Sequence, residues 1–233
     1  KSLELIKNEK ILFRNKEIVL HGMTHDGDVK GVFFNEEYKF LDVKDKIVID
    51  IGANIGDSAI YFALNGAKKV IALEPYPATF AYLLSNIRDN NLQEKVIPLN
   101  AGYGKDGEVT VNPGINNTGR LLLTESINGV KIKTYSLKSL VEQFSIENAI
   151  LKMDCEGCEY NLLNEKNETL QKFIQIQIEF HYGYKNLESK LKEAGFSVTH
   201  SKPKKSGGTD QLLKKMALTN KDLTQGYIYA TRI

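Results

Sequence analysis

The sequence is poor in cysteine and histidine, and neither residue type is arranged as a complete metal site. Its two cysteines form the segment Cys155-Glu156-Gly157-Cys158, and its four histidines are scattered at positions 21, 25, 181 and 200. A single C-x-x-C supplies half of a zinc site, and a redox role would need the pair to open a helix in a thioredoxin-like βαβ unit. We therefore expect a structural role for both cysteines, as reduced thiols, and we expect no resident metal ion.

The sequence also lacks an excess of charge and any long apolar run. Its formal net charge is +2 with 26% charged residues, which gives no case for a nucleic-acid or membrane partner on charge alone. No apolar run approaches the roughly 20 residues that span a bilayer, and the lysine-rich start lacks the apolar core of a signal peptide. At 233 residues the chain suits one α/β domain with an elaboration, and we expect a cytoplasmic protein without a membrane partner.

The glycine pattern of a dinucleotide-binding turn is incomplete. A β-branched run ends at Gly52, and Gly56 opens a helical segment, as when a buried parallel strand delivers a ligand-binding turn. A dinucleotide fold requires G-x-G-x-x-G, but the second and third positions are Asn54 and Asp57. A pyrophosphate would be repelled by Asp50 and Asp57, whereas a cationic ligand such as S-adenosylmethionine would be attracted. This pattern disfavours a dinucleotide oxidoreductase.

The turn and two later segments carry a family resemblance. Asp50-x-Gly52-x-Asn54-x-Gly56 resembles the first motif of class I S-adenosylmethionine-dependent methyltransferases. Together with Glu74-Pro75 at the end of the next predicted strand and the D-x-E-G-x-E segment at 154–159, the chain resembles the FkbM-family methyltransferases over residues 45 to 182. The resemblance implies S-adenosylmethionine as cofactor, with these contacts: Asp50, Gly52, Asn54, Gly56, Asp57, Ser58, Glu74, Pro75, Asn100, Ala101 and Asp154. Glu74 lies about 20 residues past the turn, where an acid accepts hydrogen bonds from both ribose hydroxyls.

The resemblance and the periodicity of the sequence together predict the architecture. We expect a Rossmann-like class I methyltransferase fold in residues 46–233, with a mostly parallel seven-stranded sheet and an antiparallel last strand. Residues 1–45 are interpreted as a small N-terminal β elaboration that caps the cofactor pocket and includes the run Val32-Phe33-Phe34. In the helix after Pro75, a single apolar face of Phe80, Leu83, Leu84 and Ile87 is predicted to be core. The insertion at 202–225 is lysine-rich.

Three side chains are candidates for catalysis. The fourth strand delivers Asp154 at its carboxyl end and the fifth delivers Glu179 and His181, so all three should face one crevice. A hydroxyl acceptor needs a base or a cation nearby, and His181 is the best base by chemistry, oriented by Asp154 or Glu179. In an alternative mechanism, Asp154 and Glu179 bind a divalent ion, by analogy with small-molecule O-methyltransferases of this fold.

Three functions stay open from the sequence. The leading hypothesis is O-methylation of a small-molecule or saccharide hydroxyl. The second is an RNA (tRNA) methyltransferase, because residues 86–91 faintly resemble tRNA guanine methyltransferases and the lysines at 202–225 suit phosphates. Against it, the fourth strand ends in Asp-Cys-Glu-Gly rather than an N-P-P-Y type tetrapeptide, and no RNA-binding module is recognisable. The third is a non-catalytic module that binds S-adenosylmethionine.

Overall fold

The structure is a computed structural model that describes residues 5–6, 10–22, 29–111, 129–205 and 224–233. Its strands are β1 (Leu5–Ile6), β2 (Lys10–Phe13), β3 (Lys16–Val19), β4 (Ile47–Ile51), β5 (Lys69–Leu73), β6 (Val96–Leu99), β7 (Ala101–Tyr103), β8 (Gly107–Val111), β9 (Val130–Tyr135), β10 (Ala149–Met153), β11 (Phe173–Phe180), β12 (Phe196–His200), β13 (Lys204–Lys205) and β14 (Thr224–Arg232). Its α-helices are α1 (Asp57–Leu64), α2 (Pro77–Asp89), α3 (Leu137–Gln143), α4 (Asn167–Leu170) and α5 (Lys185–Glu193). A π-helical turn (Lys30–Phe34) and a 3₁₀ helix (Cys158–Asn164) complete the described secondary structure.

The main sheet has the predicted strand arrangement. Its seven strands run in the order β12-β14-β11-β10-β4-β5-β6, and the short β13 pairs with β14. Neighbours from β11 to β6 are parallel, whereas β14 is antiparallel to both β11 and β12. The carboxyl ends of β4, β5, β10 and β11 therefore lie along one edge of the sheet, which is where open α/β sheets bind ligands.

Two smaller sheets flank the main one. The order β7-β9-β8 combines a parallel and an antiparallel pair, and β1, β2 and β3 form an antiparallel meander. The meander shares a core with α1, since Phe13 and Phe33 pack edge-on at a centroid distance of 5.3 Å and both contact the ring of Tyr61. The expectation that Val32-Phe33-Phe34 belongs to a β segment is wrong, because these residues lie in the π-helical turn.

The core covers both faces of the main sheet, and α2 contributes less to it than its sequence predicts. Leu83 and Ile87 are buried, but Leu84 is 45% exposed. The helix instead buries Asn86, whose side chain donates to the Ile55 carbonyl at 2.8 Å and accepts from the His21 amide at 2.7 Å. A polar residue thus replaces an apolar one in the buried face of α2, because it satisfies backbone groups of two loops.

Candidate active site

A buried ion pair lies under the turn between β4 and α1. The Lys152 ammonium, on the neighbouring strand β10, is 3.0 Å from Asp50 and also donates to the Gly52 carbonyl at 2.8 Å. Ser58 donates its hydroxyl to the other Asp50 oxygen at 2.6 Å. Although burial opposes the charged form, Asp50 and Asp154 raise the pKa of Lys152 well above its usual range. Asp50 is therefore a neutralised structural acid, which corrects the expectation that its charge is available to a cationic ligand.

Gly52 joins the turn to the end of β10. It adopts φ +76°, and a β-carbon at this position would collide with the backbone carbonyl of Asp154. The Asp154 amide in turn donates to the Ile51 carbonyl at 3.0 Å. Glycine is required here because backbone packs against backbone, so the turn and the candidate catalytic acid have a fixed relative position.

The tip of the turn presents an acceptor that suits a ligand with N–H groups. Asn54 adopts φ +48°, and its buried Oδ1 has no hydrogen-bond partner among the described residues. Gly56, at φ +92°, is the N-cap of α1, and Asp57 is the first residue of that helix. A buried amide oxygen without a donor is costly unless a ligand supplies one. The amino group of S-adenosylmethionine is such a donor, so the residues present fit this cofactor.

Glu74 is held rigidly at the end of β5. One carboxylate oxygen accepts from the Tyr76 amide at 2.9 Å and the other from the Asn54 amide at 3.1 Å. Burial raises the pKa of Glu74 to about 8 despite these two hydrogen bonds. The Asn100 side chain donates to the carbonyls of Glu74 and Pro75, at 2.9 and 3.1 Å, and buried Ala101 follows it. The predicted cofactor residues of β4, β5 and β6 thus form one connected surface.

His181 is the centre of a cluster of acids beyond β11. Its Nδ1 is 3.0 Å from Glu159, and the same carboxylate oxygen accepts from the His181 amide at 3.2 Å. Its Nε2 lies 3.4 Å from Glu156 and 3.9 Å from Asp154. The structure therefore brings two of the predicted catalytic residues, His181 and Asp154, to adjacent positions and adds two acids that sequence reasoning did not place in the site.

The environment of His181 changes its chemistry. Burial by itself would lower the pKa of His181, but the hydrogen bond and the charge of Glu159 outweigh that effect and raise it to about 10. The imidazole is then protonated at neutral pH, and a protonated imidazole cannot accept a proton from an acceptor hydroxyl. This environment disfavours the general-base role, which stays a prediction.

The two cysteines form a disulfide between Cys155 and Cys158, with an S–S distance of 1.99 Å. The expectation of two reduced thiols is therefore wrong. The disulfide closes a four-residue loop that contains Glu156 at φ +56° and Gly157 at φ +124°. The Gly157 amide donates to the buried Glu159 carboxylate at 2.8 Å. The disulfide is local, since its cysteines are three residues apart, and it constrains the loop that precedes Glu159.

Glu179 belongs to a second group of acids on the same side. It pairs with Tyr227 across β11 and β14, and the Tyr227 hydroxyl donates to Glu37 at 3.2 Å. Burial and the nearby Asp154 carboxylate raise the pKa of both Glu37 and Glu179. Glu179 lies close enough to Asp154 for their charges to interact, but the set of potential metal-binding groups among the described residues contains Asp154, Glu156 and His181 without it.

Sequence reasoning missed Lys152, Glu159 and Glu37. A lysine inside the otherwise apolar strand Ala149–Met153 was a usable signal, because a fully buried lysine needs a charged partner. The spacing of D-x-E-G-x-E also pointed at Glu159, which is fully buried. Nothing local marks Glu37, which reaches the crevice only through the tertiary fold.

Residues 86–91 have a structural explanation. Besides the contacts of Asn86, the Asn90 side chain donates to the Val19 carbonyl at 2.6 Å and accepts from the Val19 amide at 3.0 Å. These residues attach the N-terminal segment to α2, next to the cofactor turn. Residues 112–128 and 206–223, which include most of the lysine-rich insertion, lie outside the described residues, as do residues 23–28. In the described part of the chain, no helix is long and apolar enough to cross a membrane.

The fold and the site define a class I S-adenosylmethionine-dependent transferase, and comparison with known proteins supports this class. The described fold is similar to that of TYW2 from M. jannaschii, solved in complex with AdoMet, with a TM-score of 0.51, 16% identity and coverage of 99% of this chain and 93% of the other. That similarity concerns the fold alone.

The family is shown by sequence. Residues 50–198 match the methyltransferase FkbM domain, and the chain belongs to this family, which confirms the resemblance seen in its motifs. It is 30% identical over 166 residues to the hexuronic acid methyltransferase AglP of Haloferax volcanii, covering 68% of this chain and 66% of AglP. It is also 26% identical over 205 residues to a tRNA(Phe) (4-demethylwyosine(37)-C(7)) aminocarboxypropyltransferase of Pyrococcus horikoshii, covering 82% of this chain and 68% of the relative. The chain thus spans about two thirds of either relative.

Proposed function

We propose that this chain transfers the methyl group of S-adenosylmethionine to a hydroxyl group of a small molecule or a saccharide. The observation that carries this proposal is the group of interacting acids Glu37, Asp154 and Glu179 with the Tyr227 hydroxyl. Carboxyl groups exchange hydrogen bonds with sugar and alcohol hydroxyls whether or not they are ionised. The similarity to a hexuronic acid methyltransferase supports the same substrate class.

The residues of this chain contribute to catalysis by aligning the methyl donor with the acceptor hydroxyl. When bound, S-adenosylmethionine supplies an electrophilic methyl carbon, and transfer to a hydroxyl oxygen forms one O–C bond, breaks one S–C bond and releases S-adenosylhomocysteine and a proton. Glu74 holds the ribose from a carboxylate fixed by two backbone amides. Because Gly52 packs directly on the Asp154 carbonyl, the acceptor side has a fixed distance from the donor side.

Transfer to RNA is the second candidate, and the similarity to a tRNA aminocarboxypropyltransferase over 82% of this chain favours it. The name of that relative, however, specifies the transfer of an aminocarboxypropyl group and not of a methyl group. One observation opposes the RNA candidate: the asparagines of α2 that resembled a tRNA methyltransferase motif hold backbone groups of this chain.

One experiment separates these functions. The full chain is incubated with S-adenosylmethionine and, separately, with uronic-acid-containing saccharides, a small-metabolite fraction and tRNA, and the nucleoside product is identified by mass spectrometry. Methyl transfer leaves S-adenosylhomocysteine, whereas aminocarboxypropyl transfer leaves 5′-methylthioadenosine. We expect S-adenosylhomocysteine with a hydroxyl-bearing pool and less of it with Glu74→Ala at the same cofactor concentration. Formation of 5′-methylthioadenosine with tRNA would overturn the proposal, and no product with any pool would favour the non-catalytic module.

A further inference from the structure

Three potential ligand atoms converge at the carboxyl end of β10. One oxygen each from Asp154 and Glu156 and one ring nitrogen of His181 all lie within 4.8 Å of one another. The Nε2 of His181 is 3.4 Å from Glu156 and 3.9 Å from Asp154. With metal–ligand bonds of about 2.1 Å, ligand atoms on adjacent tetrahedral corners lie about 3.4 Å apart. The 3.4 Å between Nε2 and Glu156 matches this geometry, and the Asp154 carboxylate would move closer on binding an ion.

The imidazole is oriented as in a metal centre. His181 is 4% exposed, and its Nε2 faces the carboxylates of Glu156 and Asp154 at 3.4 and 3.9 Å. Its Nδ1 is fixed by Glu159, a carboxylate with no exposed surface. Metal-binding histidines usually direct the second ring nitrogen to a carboxylate, which fixes the tautomer and the ring orientation. Glu159 meets this description and is too buried to receive an ion from solvent itself.

The other two ligands remain accessible to an ion. The side chains of Asp154 and Glu156 are 29% and 30% exposed, so an ion has a route from solvent to the buried imidazole. Glu156 is held in a left-handed conformation between the two bonded cysteines, which restricts the positions of its carboxylate. Two ligands are therefore preorganised by covalent or buried contacts before any ion binds.

We propose that Asp154, Glu156 and His181 bind one divalent ion of the first transition row, such as Mn²⁺ or Zn²⁺, with Glu159 as the positioning residue for His181. An imidazole ligand favours these ions over Mg²⁺ and Ca²⁺, which prefer oxygen ligands alone. Three protein ligands leave coordination positions open. The role of the ion in lowering the pKa of an acceptor hydroxyl rests on the proposed function, but the binding of the ion does not.

Calorimetry on the full chain tests the site without any turnover. The protein is stripped with EDTA, dialysed, and titrated with Mn²⁺ and with Zn²⁺. We expect one equivalent to bind, Glu156→Gln and Asp154→Asn to weaken binding at least about 10-fold, and Glu159→Gln to weaken it about 10- to 100-fold. Glu193→Gln, on the exposed surface of α5, serves as the matched control and should bind like the unmodified chain. Circular dichroism melts verify that each variant is folded.

The outcomes decide the proposal independently of methyl transfer. Absence of binding to the folded, unmodified chain would overturn it, and so would binding that Glu156→Gln and Asp154→Asn leave unchanged. One-site binding lost in these variants would support the site even if no acceptor is methylated. Methyl transfer that proceeds in EDTA would leave the proposed function intact and would restrict the ion to a structural role.

Discussion

The Lys152 ammonium lies 3.0 Å from the Asp50 carboxylate, and both side chains are almost completely shielded from solvent. The Asp50 carboxylate therefore neutralises the charge of the buried Lys152 ammonium, which stabilises the end of β4 under the cofactor turn. The position of this acid before the glycine turn follows from a contact between neighbouring strands, since Lys152 and Asp50 are partners in the register of β10 and β4.

Removal of one partner should destabilise the fold. We expect Lys152→Met to lower the free energy of unfolding by about 3–5 kcal/mol, because it leaves a buried carboxylate without its counter-ion. The double variant Asp50→Asn, Lys152→Met should lose less than Lys152→Met alone. Urea unfolding followed by circular dichroism measures both values. A loss below about 1 kcal/mol for Lys152→Met would show that Asp50 is compensated in another way.

Glu74 should determine the affinity for the cofactor. We expect Glu74→Ala to weaken S-adenosylmethionine binding by about 1–3 kcal/mol, because two ribose hydroxyls lose their hydrogen-bond partner. Isothermal titration calorimetry gives the dissociation constants. Glu108→Ala is a suitable control, since Glu108 is exposed on β8 and pairs with Lys131 at 3.6 Å. Equal affinity of the Glu74→Ala variant and the unmodified chain would remove Glu74 from the site.

The raised pKa of Glu74 predicts that the stability of the protein depends on pH. Since the folded protein raises the pKa of Glu74 from 4.5 to about 8, the native state holds this proton more tightly than the unfolded state does. Its stabilising contribution is fully present below pH 4.5 and is lost as the pH rises through 8. We expect the melting temperature of the cofactor-free protein to fall between pH 5.5 and 8.5, and to fall less in Glu74→Gln. Parallel slopes in the two proteins would contradict the prediction.

Substitution of His181 and removal of metal ions with EDTA together distinguish two catalytic mechanisms. If His181 is the general base, His181→Ala should lower turnover by about 100-fold or more, EDTA should have no effect, and turnover should increase as the pH approaches 10, the pKa of His181. If the proposed metal site acts on the acceptor, EDTA and Asp154→Asn should both abolish turnover. Intact turnover in Asp154→Asn, Glu179→Gln and His181→Ala, each assayed with EDTA, would exclude both mechanisms.

Loss of the disulfide should weaken the binding of the metal ion more than the binding of S-adenosylmethionine. Replacement of both Cys155 and Cys158 by serine, or reduction with dithiothreitol, releases the loop that holds Glu156. We expect Mn²⁺ binding to weaken several-fold, while the dissociation constant for S-adenosylmethionine stays within a factor of about two, because no cofactor residue on β4 or β5 lies in this loop. Comparable weakening of both ligands would show that the disulfide supports the whole strand edge.

Much of the fold was predictable from local patterns. The apolar strands β4, β5, β10 and β11 and the antiparallel last strand occur where the sequence indicates them. Such elements depend on periodicity and turn residues, which are short-range properties. Motif order also indicated the family, because Asp50, Glu74 and Asp154 occur in that order at the carboxyl ends of β4, β5 and β10, and this order is a property of the chain itself.

The chemistry around the candidate site was decided by tertiary contacts. Glu159 and His181 are 22 residues apart, and Tyr227 and Glu37 are 190 apart, yet each pair shares a hydrogen bond. Which acid is neutralised and which histidine is protonated depend on burial and on neighbours from other strands. The sequence by itself determined the strands, the cofactor turn and the family, and the packing of those strands decided what charge each functional side chain carries.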